Sequence, residues 1–161
     1  MKQQGVTLIQ MMFGLAVATL LTQLGMPAYA RLSDDLHRAA AARDLAQALR
    51  TARSHAQLQR QAVQVRALDS DWGKGWQVIL EHNQQVLREH RLSRPIRIAA
   101  NSGGQVKFSA LGVLHNNRWL GATLEVCERS SATSQHRVVL ASGGRISLRT
   151  GEPNSSLCAA P

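Results

Sequence analysis

The sequence predicts an α+β protein in which one long N-terminal helix, a membrane half followed by an amphipathic half, packs on antiparallel β-sheets. Three observations predict this. Residues 3–30 contain no Asp, Glu, Lys or Arg. From about Arg31 to Gln61, apolar residues recur at three- and four-residue steps. After residue 61 the period falls to two, and short runs rich in Val, Ile, Leu and Thr alternate with turn signals. At 161 residues the chain suits one domain with a short appendage.

The apolar run VTLIQMMFGLAVATLLTQLGMP (6–27) is long enough for a helix to cover a hydrocarbon core of ~30 Å. Gln10, Gln23, three threonines and two glycines dilute it. The single Lys2 ahead of the run and the Ala28-Tyr29-Ala30 triplet behind it would also suit a cleaved secretory signal. Against that reading, a second helical pattern continues the first without a break. Leu32, Leu36, Ala39, Ala42, Ala46, Leu49 and Ala56 form a narrow stripe, and its alanines allow close approach of whatever packs on it. Arg31 and Arg38, Arg43 and Arg50, and Arg53 and Arg60 are spaced to lie outward as solvated pairs. Together the segments make one helix of ~50 residues, on the order of 75–80 Å long. Pro27 removes one helix hydrogen bond and crowds the preceding turn, so it bends the helix at most.

The strand-like runs are AVQVRAL (62–68), GWQVILE (75–81), QVLREHRL (85–92), IRIAA (96–100), QVKFSA (105–110), ATLEVCE (122–128), HRVVLAS (136–142) and RISLRT (145–150). Between them stand the turn signals SDWGKG, EHNQQ, NSGG, HNNRW and SGG. Strands that follow a helix in this way make antiparallel sheets laid against the Ala/Leu stripe. Trp72, Trp76 and Trp119 read as core or sheet-edge packing.

All ten acidic residues and eighteen of the nineteen basic ones lie after Ala30, and sixteen of the basic residues are arginine. A basic exterior suits anionic partners: nucleic acid, lipid head groups or acidic proteins. Cys127 and Cys158 belong to no CxxC and no metal-spaced cluster. If this part of the chain is exported, an even count of two favours one disulfide; in the cytoplasm, two free buried thiols are expected. Topology decides between them.

A short leader ending in Gly5, then VTLIQ, an apolar helix and a proline about twenty residues on resembles a type IV prepilin. The blocks ARSHAQLQRQAV, WGKGWQVIL, VKFSALGVL, LEVC and HRVVLASGGRISLR, ending in a late cysteine, resemble in that order the GspH/FimT family of minor pilins and pseudopilins. The resemblance implies the type IV pilin fold. It also implies a leader (1–5) cut by a prepilin peptidase between Gly5 and Val6, with Val6 then N-methylated. A transmembrane and assembly helix (6–30) and an exported α+β domain (31–161) would follow. Export in turn implies a Cys127–Cys158 disulfide. The expected partners are other pilins or pseudopilins through the N-terminal helix, the peptidase, the inner membrane and, as a candidate, DNA. The exported domain is expected in the periplasm, and in the pilus or pseudopilus after assembly. No cofactor is implied.

The chain departs from the prepilin pattern at Gln10, where the family carries glutamate. A carboxylate at bilayer depth costs roughly 2.5–3.5 kcal/mol on insertion scales and persists only with a partner. A neutral amide cannot supply that charge, which suits a tip subunit or one in which amide hydrogen bonding suffices. Gln10 and Pro27 are the candidate assembly residues. The second departure lies in SGGRISLRT. DNA-uptake pilins of the FimT kind carry a G-R-x-R element here, matched at Gly144 and Arg145, with Ser147 in place of the second arginine and Arg149 two residues further on. Period two puts Arg145, Ser147 and Arg149 on one face, with Arg137 on the preceding strand, so three guanidiniums near a glycine turn could bind phosphates. The alternative is a solvated edge strand guarded by charge. Glu81-His82 and Glu89-His90 flank a turn, but no third or fourth ligand for zinc accompanies them. GxSxG, HExxH, P-loop and paired-acid patterns are absent from the sequence, which points away from an enzyme. The function implied is a minor pilin of the FimT kind in type IV pilus assembly, with DNA capture as a candidate role. The alternative is the minor pseudopilin H of type II secretion.

Overall fold

The computed structural model describes residues 7–115, 121–128, 134–151 and 155–159; Gly5, Val6 and Trp119 lie outside the described residues. The chain divides into two compact units, Met1–His37 and Arg38–Pro161.

One helix, α1 (Leu8–Gln59), begins in the first unit and runs without interruption through Pro27 and through Ala28-Tyr29-Ala30. Leu8, Ile9, Phe13, Leu20, Leu21, Met26 and Tyr29 are all exposed. Helix α1 is long and apolar enough to cross a membrane by length and composition. Its threonines fit such a setting: Thr19 Oγ1 donates to the Leu15 carbonyl at 2.7 Å and Thr22 Oγ1 to Ala18 at 2.8 Å. Both hydroxyls are thereby satisfied without water. The stripe expected from Leu32 onward starts later, because Leu32 and Leu36 are each 58% exposed.

In the second unit the stripe is buried from Ala39 on. Ala42, Leu45, Ala46, Leu49, Ala52 and Ala56 form one core with residues from two sheets. The first sheet, A, contains β1 (Val63–Leu68), β2 (Asp71–Leu80), β3 (Val86–Arg91) and β5 (Gln105–Phe108) in the order β3-β2-β1-β5. The second, B, contains β4 (Ile98–Ala100), β6 (Ala122–Cys127), β7 (Ser134–Leu140) and β8 (Ile146–Thr150) in the order β4-β6-β7-β8. Every pairing is antiparallel. Trp76, Phe108, Leu124, Val138 and Leu140 are the large side chains that close the core against the small alanines of α1. The fold is the predicted α+β arrangement of one long helix on antiparallel sheets, and each of the eight expected runs contains a strand.

One boundary moves. The turn expected across SDWGKG shortens and shifts back by one residue to Asp69 and Ser70, both at positive φ (50° and 63°), the pattern of a two-residue hairpin turn. Trp72, Gly73, Lys74 and Gly75 therefore belong to β2. Gly73 serves packing there: a Cβ at this position would lie 1.7 Å from the Ile96 carbonyl oxygen. Trp72 and Trp76 are buried, as expected, and Trp72 Nε1 donates to the Gly103 carbonyl at 2.8 Å.

Candidate functional site

Alternation along sheet B sends Leu124, Val126, Val138, Leu140 and Leu148 toward the core. Glu125, Arg137, Ser147, Arg149 and Arg145 are left on the other face. The hairpin between β7 and β8 closes through Ala141 N–H to the Arg145 carbonyl (2.9 Å) and Gly144 N–H to the Ala141 carbonyl (2.8 Å). Its register makes Arg137 and Arg149 direct partners. Cβ atoms of such partners lie ~5 Å apart, and like charges so placed repel.

Arg145 is exposed on the same face but four residues up the strand from Arg149, about 13 Å away at the rise of an antiparallel strand. The expected three-arginine cradle is thus two points: a tight Arg137/Arg149 pair and a separate Arg145 beside the turn. Arg145 and Arg149 have no ion pair among the described residues, and Arg137 Nε is buried without a hydrogen-bond partner.

The glycine turn does more than bend the chain. Gly144 is buried at φ +82°, and a Cβ there would sit 2.1 Å from the Gly112 carbonyl oxygen. Arg53 on α1 ties the same region together, donating from Nε to the Gly112 carbonyl (2.9 Å) and from its terminal nitrogen to Gly143 (3.4 Å). Sequence reading placed Arg53 among outward, solvated arginines. The signal available was its position four residues after Leu49 and next to Ala52, at the margin of the buried stripe.

Cys127 and Cys158 form a disulfide with Cα atoms 5.6 Å apart. It anchors a C-terminal 3-10 turn (Leu157–Ala159) against β4 and β6. Under that turn lies Glu125, only 2% exposed, which sequence reading did not single out.

At the other end of the chain, Gln10 Oε1 accepts the Thr7 N–H at 3.1 Å, while Gln10 N–H donates to the Thr7 carbonyl at 3.0 Å. This is the N3 half of a capping box, and an amide oxygen performs it without charge. Pro27 lies within α1. The two Glu-His pairs do not meet: β2 and β3 align Gln77 with Glu89 and Trp76 with His90. Glu81 instead binds Lys107 Nζ at 2.9 Å, and His90 stacks on Trp76 at 4.7 Å.

The architecture is that of a type IV pilin subunit, a structural protein whose long N-terminal helix packs on antiparallel sheets. A family model described as type II transport protein GspH matches residues 41–144, and the chain belongs to that family. Two crystal structures of the type IV minor pilin FimU from Pseudomonas aeruginosa are similar to it. One is 26% identical with a TM-score of 0.64, covering 77% of this chain and 98% of FimU. The other is 27% identical with a TM-score of 0.56, covering 72% and 97%. No curated protein sequence matches the chain. Arg145, Arg149 and Cys158 lie beyond the stretch matched by the family model.

Proposed function

We propose that this chain is a minor pilin of the FimT kind, a subunit in type IV pilus assembly that also captures DNA through Arg137, Arg145 and Arg149. The carrying observation is the Arg137/Arg149 pair, aligned across two strands with its charge left for an external anion. Residues 1–5 act as a leader removed by prepilin peptidase, Val6 becomes the methylated N-terminus, and residues 6–30 span the inner membrane and pack on other pilins. Residues 31–161 face the periplasm. Intact-mass measurement should show a mature chain five residues shorter and methylated; a start near Arg31 would overturn this processing. A second reading, the minor pseudopilin H of a type II secretion system, is supported by the description of the matching family model. Deleting the gene should impair pilus-dependent transformation on the first reading and protein secretion on the second.

DNA capture is tested by titrating the full chain in neutral detergent with duplex DNA at two salt concentrations. Contacts should be to phosphates and independent of sequence, since no helix or wedge among the described residues is placed to enter a groove. With three to four phosphates neutralised, log K should fall with log salt at a slope of roughly −3. Arg145→Ala with Arg149→Ala should abolish most binding and leave the fold intact, because both residues are exposed. Arg43→Ala and Arg50→Ala should matter less. A double variant that binds like the parent would remove the site; a parent that fails to bind at low salt would leave only the role in assembly.

A further inference from the structure

Sheet B sets three charged residues in one row. Glu125 on β6 is the register partner of Arg137 on β7, and Arg137 is that of Arg149 on β8. Register partners share a sheet face, so a carboxylate stands one strand away from the first of two adjacent guanidiniums and two strands from the second. Nothing in the row itself prevents Glu125 from pairing with Arg137. The carboxylate is engaged elsewhere: its Oε2 accepts the Ser156 hydroxyl at 3.1 Å and the Leu157 N–H at 2.9 Å. Ser156 in turn accepts the Cys158 N–H at 3.1 Å, and Cys158 is bonded to Cys127. On the other side of the row, Arg137 Nε stays buried without a partner. A buried donor left in this state is costly, and the acid that the register sets beside Arg137 is Glu125.

We propose that the disulfide-held tail is a cover that keeps Glu125 from Arg137, so that the Arg137/Arg149 pair stays open to a phosphate-bearing polyanion. This rests on the reading of that face as an anion site. Ser156 and Leu157 supply the hydrogen bonds that a buried carboxylate needs, and the Cys127–Cys158 bond keeps them in place. If the cover is lost, Glu125 turns to Arg137 and neutralises one of the two guanidiniums internally.

Two variants of the full chain in neutral detergent uncover Glu125. One lacks residues 156–161 and carries Cys127→Ser. The other, Ser156→Ala with Leu157→Pro, keeps the disulfide and removes both donors. Each should bind duplex DNA about eightfold more weakly at ~0.1 M salt, with a log–log salt slope shallower by about 0.9, because one phosphate contact is lost. Adding Glu125→Gln should restore parental binding, whereas the same substitution in the covered chain should change it little. A variant that binds like the parent, or a loss that survives Glu125→Gln, overturns the cover. The Arg137 Nε–H resonance in a nitrogen-15 spectrum reads the pairing without DNA: it should shift on uncovering and return with Glu125→Gln. If the parent binds no DNA, the DNA reading falls and this resonance alone decides; no shift on uncovering would overturn the proposal.

Discussion

Sheets A and B are alike in size, direction and shared core, yet they place their charges differently. On sheet A three of the five basic side chains have an acid beside them: Lys107 has Glu81 at 2.9 Å, Arg91 has Glu89 at 2.7 Å and Lys74 has Asp69 at 3.3 Å. On sheet B two arginines face each other in register, and the one acid in their row is covered by the tail. Such alignment costs stability. Sheet A is arranged for its own stability, whereas sheet B carries a local cost that an anionic partner would relieve. The proposed anion site is accordingly set on sheet B.

The largest test of this contrast is the disulfide, which joins β6 of sheet B to the tail across a separation of 31 residues and has no counterpart in sheet A. Replacing both cysteines with serine should lower unfolding stability by roughly 3–4 kcal/mol in the loop-entropy model. Fluorescence of the buried Trp72 and Trp76 during denaturation would show it, and an unchanged midpoint would mean that the tail contributes nothing.

Next come the glycines. Gly144→Ala in the sheet B hairpin adds a Cβ at positive φ and against the Gly112 carbonyl, and should cost about 3 kcal/mol. Gly104→Ala before β5 of sheet A meets nothing within 4 Å and has no such φ, so it should be neutral to within ~0.5 kcal/mol. Equal losses at the two sites would show that the Gly112 contact is not what constrains Gly144.

The smallest effect is the most pointed, because its sign should differ between the sheets. Lys107→Ala breaks a partly exposed ion pair in sheet A and should cost about 0.5 kcal/mol. Arg137→Thr in sheet B removes a like-charge neighbour of Arg149 and should gain a similar ~0.5 kcal/mol, while weakening DNA binding. If Arg137→Thr destabilised the chain, Arg137 would be structural and the contrast between the sheets would fail.

Much of the fold was legible because it rests on local periodicity. The change from a helical step to alternation after residue 61 is a property of short windows, and all eight strands follow from it. The β1–β2 turn was misplaced because glycine drew attention to Gly73 and Gly75, whereas the turn uses Asp69 and Ser70 at positive φ. What requires Gly73 is the Ile96 carbonyl, a distant contact that no window contains. The stripe was drawn too far toward the N-terminus because Leu32 and Leu36 share its spacing while lying beyond the sheets' core.

At the site, alternation placed Arg145 and Arg149 on one face. The pairing of Arg149 with Arg137 depends on where the hairpin closes, and that is decided by Gly144 packing on Gly112 and by Arg53 holding the Gly143 carbonyl. Glu125 could not be read at all, since its partners come from residues 156 and 157, more than thirty positions away.

The Cys127–Cys158 bond has a mechanical consequence. It closes a covalent ring that contains all of β7 and β8, the two strands bearing the arginines. A filament subunit carries tension, and tension that enters through α1 cannot draw out chain enclosed in such a ring. At ~3.5 Å per residue, the 31-residue span withholds about 110 Å of extension from any pull. Even if sheet A were unravelled under load, the arginine hairpin would remain a closed loop at the end of the tether.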